Sequence, residues 1–174
     1  MIVLKFGGTS VGSVENFRKV ANIVQATEGE KIIVLSAMSG VTNTLVRIAE
    51  LLGSSNIEDA LELIHGLHDK YQTVARDLLA SDDSFYKAQV LLKRLHNVML
   101  SVASEPFSDK NEKIIMAQGE LVSTNLFQLY MDEVDGESVL LSALDFMSID
   151  QYGEPQAEVI KDRLAKILAN HKAK

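Results

Sequence analysis

The chain opens on a short apolar run, Ile2 to Leu4, followed at once by Lys5, Phe6, a glycine pair and two hydroxyls, Thr9 and Ser10. A second run, Ile32 to Leu35, is apolar at every position. Strands without polar alternation are buried on both faces, which is the condition of strands in parallel α/β sheets. Between the two runs, Phe17, Val20, Ala21 and Val24 fall at i, i+3, i+4 and i+7, one face of a helix running from about Ser13 to Thr27. Strand Ile2–Phe6, helix, strand Lys31–Ala37 is therefore a βαβ unit with parallel strands. Gly7–Gly12 forms its first turn.

Beyond Ser39-Gly40 the pattern is mostly helical. One helix is predicted from about Thr42 to Leu52, and Gly53-Ser54-Ser55-Asn56 ends it in a loop. Ile57, Leu61, Ile64, His68, Tyr71, Ala75 and Leu78 then alternate spacings of four and three. Phe85, Ala88, Leu92, Leu95, Met99 and Val102 do the same after Ser81-Asp82-Asp83. These segments, about 57–104, predict an antiparallel helical hairpin serving as a lid or covering layer. Pro106 marks a break. Further helices are expected over about Lys110–Met131 and Gln156–His171, with a short strand at Val139–Leu141. Three strands for five or six helices are few for a parallel sheet, and the expectation is a larger sheet cut short.

Composition narrows the function classes. The net charge of −7 disfavours nucleic acid and anionic membrane surfaces as partners. No cysteine is present, which excludes disulfides, thiolate metal sites and cysteine nucleophiles. No segment reaches the roughly 20 apolar residues needed to cross a bilayer, and nothing resembles a signal peptide. A cytoplasmic enzyme is expected.

Three blocks carry chemistry. In Lys5-Phe6-Gly7-Gly8-Thr9-Ser10, the lysine precedes the glycines, unlike a Walker A loop, and the glycines lack dinucleotide-fingerprint spacing. A lysine at the carboxyl end of a parallel strand stands where ligands bind in open α/β sheets. The Gly7 and Gly8 amides, with a following helix start, suit phosphate oxygens. The bland alternative is a tight turn with a solvated lysine. The second block, Ser36-Ala37-Met38-Ser39-Gly40-Val41-Thr42-Asn43, ends the second strand, where Ser36 and Thr42 suit a substrate carboxylate. Its alternative is ordinary helix capping by Ser39 or Thr42. The third, Ala117-Gln118-Gly119-Glu120-Leu121-Val122-Ser123-Thr124, sets a glycine inside a helix. That costs up to about 1 kcal/mol against alanine and implies a close approach to the backbone. Glu120 beside it suits an ammonium group, or is a plain surface glutamate.

The sequences K-F-G-G-T-S at 5–10, S-A-M-S-G-V-T-N at 36–43 and G-E-L-V-S-T at 119–124, in that order, resemble the aspartokinase pattern within the amino-acid kinase superfamily. The resemblance runs over residues 1–174 and matches the N-terminal portion of that family's kinase domain. It implies a three-layer αβα fold with a mainly parallel sheet, truncated, with the helical hairpin as an insertion; the nucleotide-binding half and the regulatory ACT domains lie beyond it. It further implies transfer of the terminal phosphoryl of ATP, with Mg²⁺, to the side-chain carboxylate of L-aspartate, the first step toward lysine, threonine and methionine. Lys5 is then the catalytic cation, and Lys5, Phe6, Gly7, Gly8, Thr9 and Ser10 bind the nucleotide. Ser36, Thr42 and Glu120 bind aspartate, and the longer parent, in some members fused to a homoserine dehydrogenase, is a homo-oligomer. The segment by itself is expected to be inactive or nearly so. A non-catalytic amino-acid-binding or interaction module of the same fold is the competing class; convergence of Lys5, the glycine turn, Thr42 and Glu120 discriminates between them. His65 and His68 stand as H-x-x-H, but no third ligand is visible in the sequence and His96 has no companion, so no metal site is expected.

Overall fold

A computed structural model describes all residues except Asp135, Glu137, Ala173 and Lys174, and the side chains of His171 and Lys172 are also left undescribed. The chain forms two compact units, Met1–Ser138 and Val139–Lys174.

In the first unit, strands β1 (Ile2–Phe6) and β2 (Lys31–Leu35) pair in parallel, Leu4 opposite Ile33 and Phe6 opposite Leu35. Helix α1 (Val14–Ala26) joins them, started by Ser13, whose hydroxyl accepts the Asn16 amide. Its buried residues are Phe17, Val20, Ala21 and Val24, the four that the spacing singles out. Helix α2 (Val41–Gly53) leaves the end of β2 through Gly40, held at φ +77, a left-handed conformation natural to glycine. Helices α3 (Ile57–Leu78) and α4 (Asp82–Ala103) make the expected hairpin, and α5 (Asp109–Val134) packs against α2 and α4.

The hairpin is a covering layer, not a domain of its own. Ile64, Tyr71, Leu92 and Met99 belong to one continuous core with Phe17, Val41, Leu45, Ile115 and Leu126. The sheet uses one face for that core: Phe6 and Ile33 pack on it and Leu35 is buried. On the opposite face Val3 is 62% and Val34 43% exposed. Among the described residues β1 and β2 are the only strands in a sheet.

The second unit contains α6 (Ala143–Phe146) and α7 (Ala157–Lys172), with a single antiparallel bridge between Ile149 and Pro155. Val139–Leu141, expected to be a strand, is not one. Three apolar residues define a strand only where another strand offers its backbone, and no ladder partner is present for them among the described residues. No described helix is long and apolar enough to cross a membrane.

Candidate active site

The three blocks meet at the carboxyl ends of the two strands. Lys5 lies one residue before the end of β1, paired with Val34. Past Phe6 the chain turns through a short 3-10 segment, Gly8–Val11, closed by the Ser10 amide donating to the Gly7 carbonyl at 2.9 Å. Past Leu35 the Ser36 amide donates to the Phe6 carbonyl at 3.1 Å, so the second block starts beside the first.

Glycine is required here for proximity. A Cβ on Gly8 would stand 2.9 Å from the Ala37 carbonyl oxygen, and one on Gly12 would stand 3.0 Å from Ser39 Cβ. From the other side, a Cβ on Gly119 of α5 would stand 2.7 Å from Ala37 Cβ. The partner that approaches the glycine in α5 is thus the protein's own second block.

Helix α5 also binds that block by its polar groups. Glu120 Oε1 accepts from the Ala37 amide at 3.3 Å, and Ser123 Oγ donates to the Ser36 carbonyl at 2.8 Å. The carbonyl of Ser36 and the amide of Ala37 belong to one peptide group. Two side chains at i and i+3 on one helix face therefore hold both polar ends of a single peptide. Ser123 is fully buried, whereas Glu120 remains exposed.

Each expected site residue has a defined place. Lys5 is exposed, and its Nζ lies 3.8 Å from where a Gly7 Cβ would be, folded over the glycine turn. No carboxylate pairs with it among the described residues. Phe6 turns its ring to the core. Thr9 is exposed, its carbonyl accepting from Asn16 Nδ2 at 2.8 Å, and Ser10 is half-buried. Thr42 is exposed in the first turn of α2. No side chain caps that helix, so the capping alternative for Ser39 and Thr42 is not what the structure adopts. The structure brings Gly8, Gly12, Ser36, Ala37, Gly119 and Glu120 into one cluster with Lys5 at its edge. Thr42 stands nearby in sequence but makes no hydrogen bond to the other blocks among the described residues.

Two members of this region escape sequence reasoning. Ser123 reads as one hydroxyl among several in its block. Tyr71 of α3 reads as an apolar stripe residue, yet its hydroxyl is buried without a hydrogen-bond partner. Burial first, and then the negative charge of Glu120, push its phenol well above the ordinary range, so it stays protonated. Two shallow hollows on the surface lie elsewhere, one at Val98, Pro106 and Asn111, the other at Ala80, Lys87 and Glu133.

Comparison with known proteins bears on this arrangement. The model of the amino acid kinase family matches residues 1–173. The chain belongs to the amino acid kinase family. A bifunctional aspartokinase/homoserine dehydrogenase of Daucus carota is 31% identical over 167 residues, 88% of this chain and 17% of that protein. Lysine-sensitive aspartokinase 3 of Escherichia coli is 27% identical over 166 residues, 91% of this chain and 35% of that protein. The crystal structure of E. coli aspartokinase III in complex with aspartate and ADP superposes with a TM-score of 0.78 at 26% identity, covering 99% of this chain and 39% of that one. The same enzyme in complex with lysine and aspartate gives 0.82. The expected fold class is therefore the observed one, and the chain spans well under half the length of these relatives.

Proposed function

We propose that this chain holds the aspartate-binding and phosphate-facing part of an aspartate kinase, which converts L-aspartate and ATP to 4-phospho-L-aspartate and ADP at the head of lysine, threonine and methionine biosynthesis. The observation that carries the reading is the cluster at the strand ends, where the Lys5 turn, the 36–40 segment and Glu120 come together. The solved relative bound to aspartate and ADP supports the same ligand pair.

The chemistry asks little of a base. The side-chain carboxylate of aspartate is already ionised at neutral pH. One of its oxygens forms a bond to the γ-phosphorus while the bond from that phosphorus to the bridging oxygen breaks, and ADP leaves with the electron pair. Catalysis is then positioning and charge neutralisation. Lys5 supplies the cation, and the Gly7 and Gly8 amides, in a turn shaped by Phe6, Thr9 and Ser10, face the phosphates. Glu120 spends Oε1 on Ala37, leaving Oε2 to accept from the substrate ammonium. Ser36 and Thr42 supply polar contacts to the carboxylates. Mg²⁺ would accompany the nucleotide, held mainly by its phosphate oxygens.

The test is an amide-resolved NMR titration of the chain. L-Aspartate is expected to shift Ala37, Ser39 and Glu120, and succinate, which lacks the ammonium, to shift them far less. Glu120→Gln should remove that difference. Equal responses to both ligands, or none, would refute the assignment. An ADP-release assay on the chain alone is expected to show no aspartate-dependent turnover, because the chain spans only 39% of the solved relative. Clear turnover would show that these residues suffice.

A further inference from the structure

On the hairpin, away from the cluster just described, three imidazoles gather. His65 of α3 and His96 of α4 face each other, Nδ1 to Nε2 at 3.0 Å, with ring centroids 5.0 Å apart edge-on. His68, on the same side of α3 one turn later, stacks on His96 with centroids 4.3 Å apart and planes at 17°. The Gln72 amide lies 3.4 Å from His68 Nε2. The sequence leaves His96 without a companion and the H-x-x-H pair without a third histidine; the fold supplies both. Packing does not call for this arrangement, since His65 is exposed and the hairpin core is complete without it.

We propose that His65 and His96 form a two-imidazole site for a late first-row dication, Zn²⁺, Ni²⁺ or Cu²⁺, that ties α3 to α4. The spacing supports it. With metal–nitrogen bonds of about 2.0–2.1 Å, two ligands stand about 2.9 Å apart at a right angle and about 3.4 Å apart at the tetrahedral angle. The observed 3.0 Å falls between these values. The contact is a hydrogen bond in the metal-free chain, so on binding its proton leaves and both rings turn until their lone pairs meet at one point. Imidazole nitrogen suits these metals and not Mg²⁺ or Ca²⁺, which take oxygen. No third carboxylate or imidazole is placed to complete the shell among the described residues, so water fills the remaining positions. His68 is a positioning residue: its stacked ring fixes the plane of His96.

The experiment uses the 174-residue chain. ZnCl₂ in large excess over its dissociation constant is expected to raise the unfolding temperature by about 5 °C or more, with reversal by EDTA and no effect of MgCl₂. His65→Asn and His96→Asn should each abolish the rise. The electron paramagnetic resonance spectrum of the chain with one equivalent of CuCl₂ should show two coupled nitrogens, and fewer in either variant. A wild-type copper spectrum without two nitrogens overturns the proposal even if a variant fails to fold. So does a zinc effect that is absent, or that survives either substitution.

Discussion

Gly119→Ala sets two opposed magnitudes against each other. In the interior of a 26-residue helix, alanine is favoured over glycine by up to about 1 kcal/mol. At this position the added methyl would stand 2.7 Å from Ala37 Cβ and 3.2 Å from both Leu45 Cδ1 and Val41 Cγ1. Ala37 Cβ is one bond from the backbone and has no rotamer through which to withdraw. Relief therefore requires α5 and the 36–38 segment to move apart, and overpacking of this kind costs about 1–3 kcal/mol. The same movement stretches the Glu120–Ala37 hydrogen bond, already long at 3.3 Å. The net expectation is destabilisation of about 1–2 kcal/mol, a fall of about 2–8 °C in unfolding temperature. Gly66→Ala is the control. Gly66 also lies inside a long helix, α3, but nothing stands within 4 Å of its would-be Cβ, so this change should stabilise by about 0.5–1 kcal/mol. Urea unfolding of the two variants beside the parent measures both. If Gly119→Ala stabilises the chain as Gly66→Ala does, close approach is not the reason for the glycine, and the contact between the second and third blocks is wrongly described.

Ser123→Ala removes the donor to the Ser36 carbonyl at a fully buried position, and should cost about 1–3 kcal/mol in urea unfolding, with little loss of packing volume. Tyr71→Phe removes a buried hydroxyl that has no partner, so the same measurement should show unchanged or slightly raised stability. Glu133 accepts from the Ala80 amide at 2.9 Å and the Ser81 amide at 3.0 Å, tying down the turn between α3 and α4. Burial pushes its carboxyl up, but those two amides and the Ser84 and Ser81 hydroxyls outweigh it and hold the group below its ordinary value. A depressed carboxyl contributes stability that is complete above the unfolded value and is lost as pH falls through the folded one. The urea midpoint of the wild type should therefore fall more between pH 6 and pH 3 than that of Glu133→Ala, and equal falls would contradict the bonding described (both pH values are about the limits set by ordinary carboxyl titration).

The helices were legible because their signal is local and repeated. Four positions define the buried face of α1, and all four are buried; Phe85, Ala88, Leu92, Leu95, Met99 and Val102 line the hairpin as the spacing requires. The parallel pairing of β1 and β2 was legible in their unbroken apolar runs. Val139–Leu141 departs from expectation because a triplet carries no periodicity, and pairing depends on a distant partner. The open face of the sheet was equally hidden, since Val3 and Val34 read as buried and stand exposed. His96 stands solitary in the sequence because its companions lie a full hairpin away, and sequence distance says nothing of which side of α4 meets which side of α3. In the site, glycine in a helix announced a close approach but not by what.

The peptide between Ser36 and Ala37 explains how the cluster is held together. On one side Gly8 and Gly12 bring the β1 turn against Ala37 and Ser39; on the other, Glu120 and Ser123 hold the amide and carbonyl of that one peptide group. The cation-bearing turn and the carboxylate-bearing helix are thus registered against the same few atoms, although more than a hundred residues separate them in the chain. A surface glutamate with only a solvation role would have no reason to reach a strand-end amide. A glutamate with only a structural role would spend both oxygens on the protein, as Glu133 does on the Ala80 and Ser81 amides. Glu120 does neither: it anchors by one oxygen and stays exposed. An anchored but open carboxylate has its position fixed before any ligand arrives, which is the preorganisation that the proposed ammonium contact calls for.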